Sequence, residues 1–185
     1  ISPNLIKQPD MKPRQFLLAA LALSLLFASC KKDKVPYKSE LRKSLFACQA
    51  FKANSDNSYR YTVATSSWVG ISSETTITVT NGVVTQRDYI LRRMTQSPSG
   101  QPSTVVAEEW QETGSTLNTH NYGAATVTLD EIYRLAREEW LKEREDVTYY
   151  FEANNSGMIS SAGYVPNNCA DDCFNGITIT SIERL

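Results

Sequence analysis

From Thr76 the chain reads TITVT, then Asn81-Gly82, then VVTQRDYIL, and this stretch constrains the fold more than any other. Thr76, Thr78 and Thr80 alternate with Ile77 and Val79, the period-two pattern of a strand with one face buried. A type I′ hairpin turn needs positive φ at both central residues, and Asn-Gly meets that need with little strain. An antiparallel hairpin is therefore expected here, with its second strand reaching Arg92.

The same alternation recurs along the chain. Tyr59, Tyr61 and Val63 alternate with Arg60 and Thr62. After the Pro/Gly/Ser loop of residues 95–103, STVVAEEWQET reads as a fourth strand returning on the third. DVTYYFEA, GMISSAGYV and GITITSIERL read as three more. Two segments change period. SELRKSLFACQAFKAN, beginning at Ser39, sets Leu41, Leu45 and Cys48 at helical spacing with basic residues opposite. TLDEIYRLAREEWLKERE, beginning at Thr128, sets Leu129, Ile132, Leu135, Ala136 and Trp140 in one stripe, with Thr128 and Glu131 as a capping box. Helix, four-stranded meander, helix and three-stranded meander predict an α+β domain over residues 38–185. Its antiparallel sheet has about six to seven strands, with two helices packed on one face.

Upstream lies a different kind of segment. Met11, Lys12 and Arg14 precede an apolar run from Phe16 to Ala28, the charged-then-apolar order of a secretory signal. The run is shorter than the roughly 20 residues that span a bilayer. Leu26-Phe27-Ala28-Ser29-Cys30 resembles the bacterial lipobox, which implies cleavage after residue 29 and lipidation of Cys30. Residues 1–10 are expected to be an upstream over-extension, 11–29 a lipoprotein signal peptide and 30–37 a lipidated cysteine with its tether. The tether, Lys31-Lys32-Asp33-Lys34, resembles the leaders of bacterial surface lipoproteins. The location this implies is the bacterial cell envelope, with the lipid in the outer membrane and the domain periplasmic or surface-exposed.

Removing residues 1–29 takes away Lys7, Lys12, Arg14 and Asp10, leaving 156 residues with 16 basic and 19 acidic side chains, a net charge of −3. That length supports one domain with a sizeable core. The scattered basic residues argue against nucleic acid and against a basic membrane-binding face. With Cys30 lipidated, Cys48, Cys169 and Cys173 remain for an oxidising compartment. The expected bridge is Cys169–Cys173, which closes a short loop between the turn residues of NNCADDCFNG. A bridge from Cys48 to either would instead tie the first helix to the C-terminal strands.

Several stretches together resemble a family of secreted and lipid-anchored bacterial proteins, domain of unknown function 6174. They are YRYTV from Tyr59, ITVTNGVV from Ile77, TLDEIYRLA from Thr128, VTYYFEANNSG from Val147 and DDCFNGITITSI near the end. The resemblance covers residues 55–183. It supports the fold and implies no activity.

No constellation names a reaction. His120 reads as an exposed loop residue without a nucleophile near it in sequence. Asp171 and Asp172 lie among asparagines but lack the spacing of a calcium loop, so no metal and no cofactor is expected. Glu108, Trp110 and Glu112 share a strand face with Glu109 pointing away, which reads better as edge-strand charge than as a glycosidase pair. Tyr59, Tyr61, Tyr149 and Tyr150 are the candidate binding face, because consecutive strand aromatics cannot all enter one core. The expected function is that of a lipid-anchored, non-catalytic interaction module for another envelope protein. The alternative is a small-ligand or glycan binder, with hydrolysis included.

Overall fold

The computed structural model describes residues 35–185. The expected over-extension, signal peptide and lipidated Cys30 lie outside the described residues. The elements are α1 (Lys38–Ala53), β1 (Tyr59–Ser67), β2 (Ile71–Thr80), β3 (Val83–Gln96), β4 (Pro102–Thr113), α2 (Leu129–Leu135), β5 (Val147–Glu152), β6 (Ser161–Pro166) and β7 (Asn175–Arg184). They form the expected α+β domain. Seven antiparallel strands lie in the order β4-β3-β2-β1-β7-β6-β5. The two meanders are joined where β1, the first strand, pairs with β7, the last.

The Asn81-Gly82 turn has φ of 51° and 80°, positive at both positions as a type I′ turn requires. Strand β3 runs four residues beyond Arg92, because its ladder with β4 continues to Gln96 and Pro102. The loop expected over 95–103 is correspondingly short. It closes with Ser97 N–H donating to Gln101 O at 2.8 Å.

The core lies between the helices and one sheet face. Leu41 and Cys48 of α1 and Leu129 and Ile132 of α2 meet Ile77, Val79, Ile177 and Ile179 of the sheet. Three buried tyrosines tie these layers by their hydroxyls. Tyr59 accepts from Leu129 N–H at 3.0 Å, and Tyr61 donates to Val127 O at 2.5 Å, so β1 holds the start of α2 in place. Tyr133 donates to Ser44 O (2.9 Å), contacts Ser44 Oγ (2.7 Å) and accepts from Ile159 N–H (3.1 Å), joining α1, α2 and the β5–β6 connection. Burial pushes the phenols of Tyr59 and Tyr133 up to about 12, so both stay protonated.

The second helix is shorter than its apolar stripe. After Leu135 it widens into one π-turn, Ala136–Trp140, closed by Leu141 N–H to Ala136 O at 2.9 Å. The wider turn buries both Ala136 and Leu141. Past it, the Tyr149 hydroxyl donates to Lys142 O at 2.8 Å and accepts from Arg144 N–H at 2.5 Å, holding this segment against β5 rather than in the expected helix. The N-cap is half of the expected box. Thr128 accepts from Glu131 N–H, while the Glu131 carboxylate turns to Arg134.

Candidate functional site

Rows of side chains across the sheet explain what each strand residue does. On the helix side, the register aligns Tyr61, Ile77, Arg87 and Glu112, and beside them Val63, Thr75, Tyr89 and Trp110. The Arg87–Glu112 pair is buried, with Nε and Oε2 at 2.8 Å and both side chains nearly inaccessible. Such a pair is tolerated only when its remaining hydrogen-bonding capacity is filled. The loop after β4 fills it. Glu112 also accepts from Asn118 N–H, Thr119 Oγ1, His120 N–H and His120 Nδ1, at 2.6–3.0 Å. Arg87 donates to His120 O and Ala124 O.

Burial alone would raise the Glu112 carboxyl, but its bonds from Arg87, His120 and Asn118 outweigh that and hold it well below the ordinary carboxylate range. His120 lies flat on Trp110 at 4.1 Å between ring centroids, and Tyr89 stacks on Trp110 at 4.9 Å. Tyr122 meets their edges and donates to Glu108. His120 lies on a loop and Glu112 on a strand, and the fold joins them. Imidazole Nδ1 faces the carboxylate, and no hydroxyl or thiol is hydrogen-bonded to Nε2 among the described residues. This is a device that closes the 117–127 loop over β3 and β4. Arg87 was missed by inspection of the sequence. Its alternation with Tyr89 was the available signal, and nothing local marks it as buried.

Two of the four expected binding tyrosines are not on a surface. Tyr59 and Tyr61 are fully buried beneath the helices, their hydroxyls used as described above. Tyr149 is half-buried on the helix side, and Tyr150, 47% exposed, points away from it. The face away from the helices is polar and cross-paired. Arg60 bonds Glu183, Arg92 bonds Glu74, Thr62 bonds Thr76, and Asp88 receives the amides of Gln86 and Gln111.

A concavity lies instead where the two meanders part. The β1–β7 ladder ends at Val63–Ile179, next to a bulge at Thr180, whose hydroxyl donates to Thr62 O at 3.3 Å. A bulge bends its strand and sharpens the twist. Beyond it β7 stays with β6, β1 stays with β2, and the two strands separate. A cavity of about 810 Å³ occupies the divide. Hydroxyls of Thr65, Ser66, Ser72, Ser73 and Thr178 line it, together with apolar Val63, Leu91 and Ile177. A second cavity of about 380 Å³ shares Val63, Thr65, Ser73, Gly176 and Ile177 and continues beneath Leu135 and Trp140.

The disulfide loop borders this divide. Cys169 and Cys173 are bridged, with Cα atoms 6.2 Å apart. Cys48 is the buried free thiol, pushed by desolvation up to about 11. Asp172 accepts from Ser67 Oγ at 2.9 Å, linking the loop to the end of β1. Phe174 lies over Gly163, where an added Cβ would come within 2.5 Å of its ring, and meets Tyr150 edge-on at 6.3 Å. At the same end of the sheet Trp68 is 76% exposed, with Val69, Met94, Val105 and Val106 also exposed.

Lys38 and Arg42 of α1 line a groove with Arg134 of α2 and Arg137 of the π-turn, so cations scattered in sequence are gathered in space. Among the described residues no group of three or more His, Cys, Asp or Glu side chains could hold a metal ion, and no helix is long and apolar enough to cross a membrane. Neither a family model, nor a curated protein, nor a solved structure matches this chain.

Proposed function

We propose that this chain is a non-catalytic interaction module, anchored in a bacterial envelope by lipid on Cys30, that takes an extended segment of another envelope protein into the divide between β1 and β7. The observation that carries this reading is the interrupted central ladder. Residues 64–67 and 175–178 each pair on one side only, so two strand edges face a cavity of about 810 Å³. An unpaired edge is a template for an added strand, with main-chain bonds supplying affinity and flanking pockets supplying specificity. Trp68, Phe174 and Tyr150 are exposed aromatic anchors at its border, the residue types that dominate interface energetics. The lipobox-like stretch that ends at Cys30 supports the envelope location.

Selection of random peptides against the immobilised protein tests this reading. Selected peptides are expected to lose binding to Thr178→Trp, which fills the divide, and to retain it with Glu139→Ala. Equal binding to both variants would contradict it. The hydroxyl-bearing residues that line the divide with Phe174 favour a second reading, a glycan ligand, in which glycan binding rather than peptide binding is lost in Thr178→Trp.

A further inference from the structure

The groove between α1 and α2 has a volume of about 540 Å³. Val35, Leu41 and Leu45 give it an apolar floor, and Lys38, Arg42, Arg134 and Arg137 give it a cationic rim. Asp130, the acidic side chain among the described lining residues, is already paired to Lys52. Arg134 and Arg137 share their charge with Glu131 and Glu138. Lys38 and Arg42 have no ion-pair partner among the described residues. On the adjoining surface of α1, Phe46 stands 60% exposed beside Arg42 and Lys43. An aromatic side chain among cations on a helix is a composition that settles at the headgroup boundary of an anionic membrane.

On the anchored reading, the chain itself brings this surface to lipid. Val35 lines the groove, and it lies five residues after Cys30. Five residues reach at most about 18 Å, so a lipid on Cys30 keeps Val35 within about that distance of the bilayer surface. The inference therefore rests on the anchored reading above. An apolar floor bordered by cations suits a molecule whose apolar and anionic parts are joined, and the tether places such molecules at high local concentration.

We propose that the α1–α2 groove binds an anionic phospholipid of the membrane to which the chain is tethered. An acyl chain lies on the Leu41–Leu45 floor, and the headgroup phosphate is held by Lys38 and Arg42. Docking of this kind fixes the orientation of the domain on the membrane.

The test uses the full chain with a photoreactive benzoylphenylalanine at Ser39, an exposed groove residue, or at Glu109 on β4 as control. Each is reconstituted into vesicles of phosphatidylcholine alone or mixed with phosphatidylglycerol. The expected result is a phosphatidylglycerol adduct at position 39 several-fold above both the phosphatidylcholine adduct and the adduct at position 109. The combined Lys38→Glu and Arg42→Glu substitutions should abolish the excess. Equal adducts from the two lipids, equal adducts at the two positions, or an excess that survives the charge reversal would overturn the proposal. The anchor is tested apart from it. Cys30→Ser should release the protein from the membranes of producing cells, and undiminished retention would sink the anchored reading whatever the adduct at position 39.

Discussion

Glu112 shows how far a residue's role depends on what the fold brings to it. In sequence it belongs to a strand-edge cluster with Glu108 and Glu109. In the structure it is the buried acceptor for Arg87 and for the 118–120 loop. Its folded pKa lies below the value of about 4.3 for an unfolded glutamate. The carboxylate therefore contributes stability that is fully present above roughly pH 5 and lost as pH falls through the folded value. Melting temperature measured from pH 7 downward should fall on acidification in the wild type. Glu112→Gln should melt lower at pH 7 and fall less steeply, and parallel curves would contradict this role. Tyr133 is the second test at this scale. Tyr133→Phe removes the hydroxyl shared by Ser44 and Ile159, and it should cost roughly 1–3 kcal/mol in urea unfolding, because the buried groups left behind lose their partner.

Elements whose periodicity was strong were legible, and those shaped by tertiary contacts were not. The β2–β3 hairpin followed from Asn81-Gly82 alone, since few other dipeptides accept that turn. Gly82→Ala should cost about 1–2 kcal/mol by forcing a Cβ into the left-handed region, where it would also approach Asn57 Nδ2. Tyr59 and Tyr61 were misread as a binding face because alternation tells which residues share a face, never whether helices cover it. The shortened second helix has the same origin, since the hydroxyl that holds the chain after it belongs to Tyr149, on another element. The disulfide expected from the turn residues around Cys169 and Cys173 is the one present. Replacing Cys169 and Cys173 together by serine should lower stability by about 2 kcal/mol, the chain-entropy value for so short a loop. Equal urea midpoints for the two proteins would count against that contribution.

Across the whole molecule, both proposed surfaces come from residues far apart in the chain. The groove joins cations near position 40 with cations near position 135. The divide joins the end of β1 to the start of β7 and depends on a bulge at Thr180 that no sequence pattern announces. That is why the fold class was readable while the candidate site was not. The half-buried His120–Glu112 contact closes a loop, and the concavity lies elsewhere, lined by hydroxyl-bearing residues and Phe174, with exposed Trp68 at the same end of the sheet. On the proposed reading, a partner strand enters between β1 and β7. The most direct measurement is photocrosslinking in native envelopes from chains carrying benzoylphenylalanine at Ser66, within the divide, or at Glu139, outside it. A discrete protein adduct is expected from position 66 that is lost in Thr178→Trp and does not form from position 139. Adducts of equal yield at both positions, or an adduct at position 66 indifferent to Thr178→Trp, would contradict it.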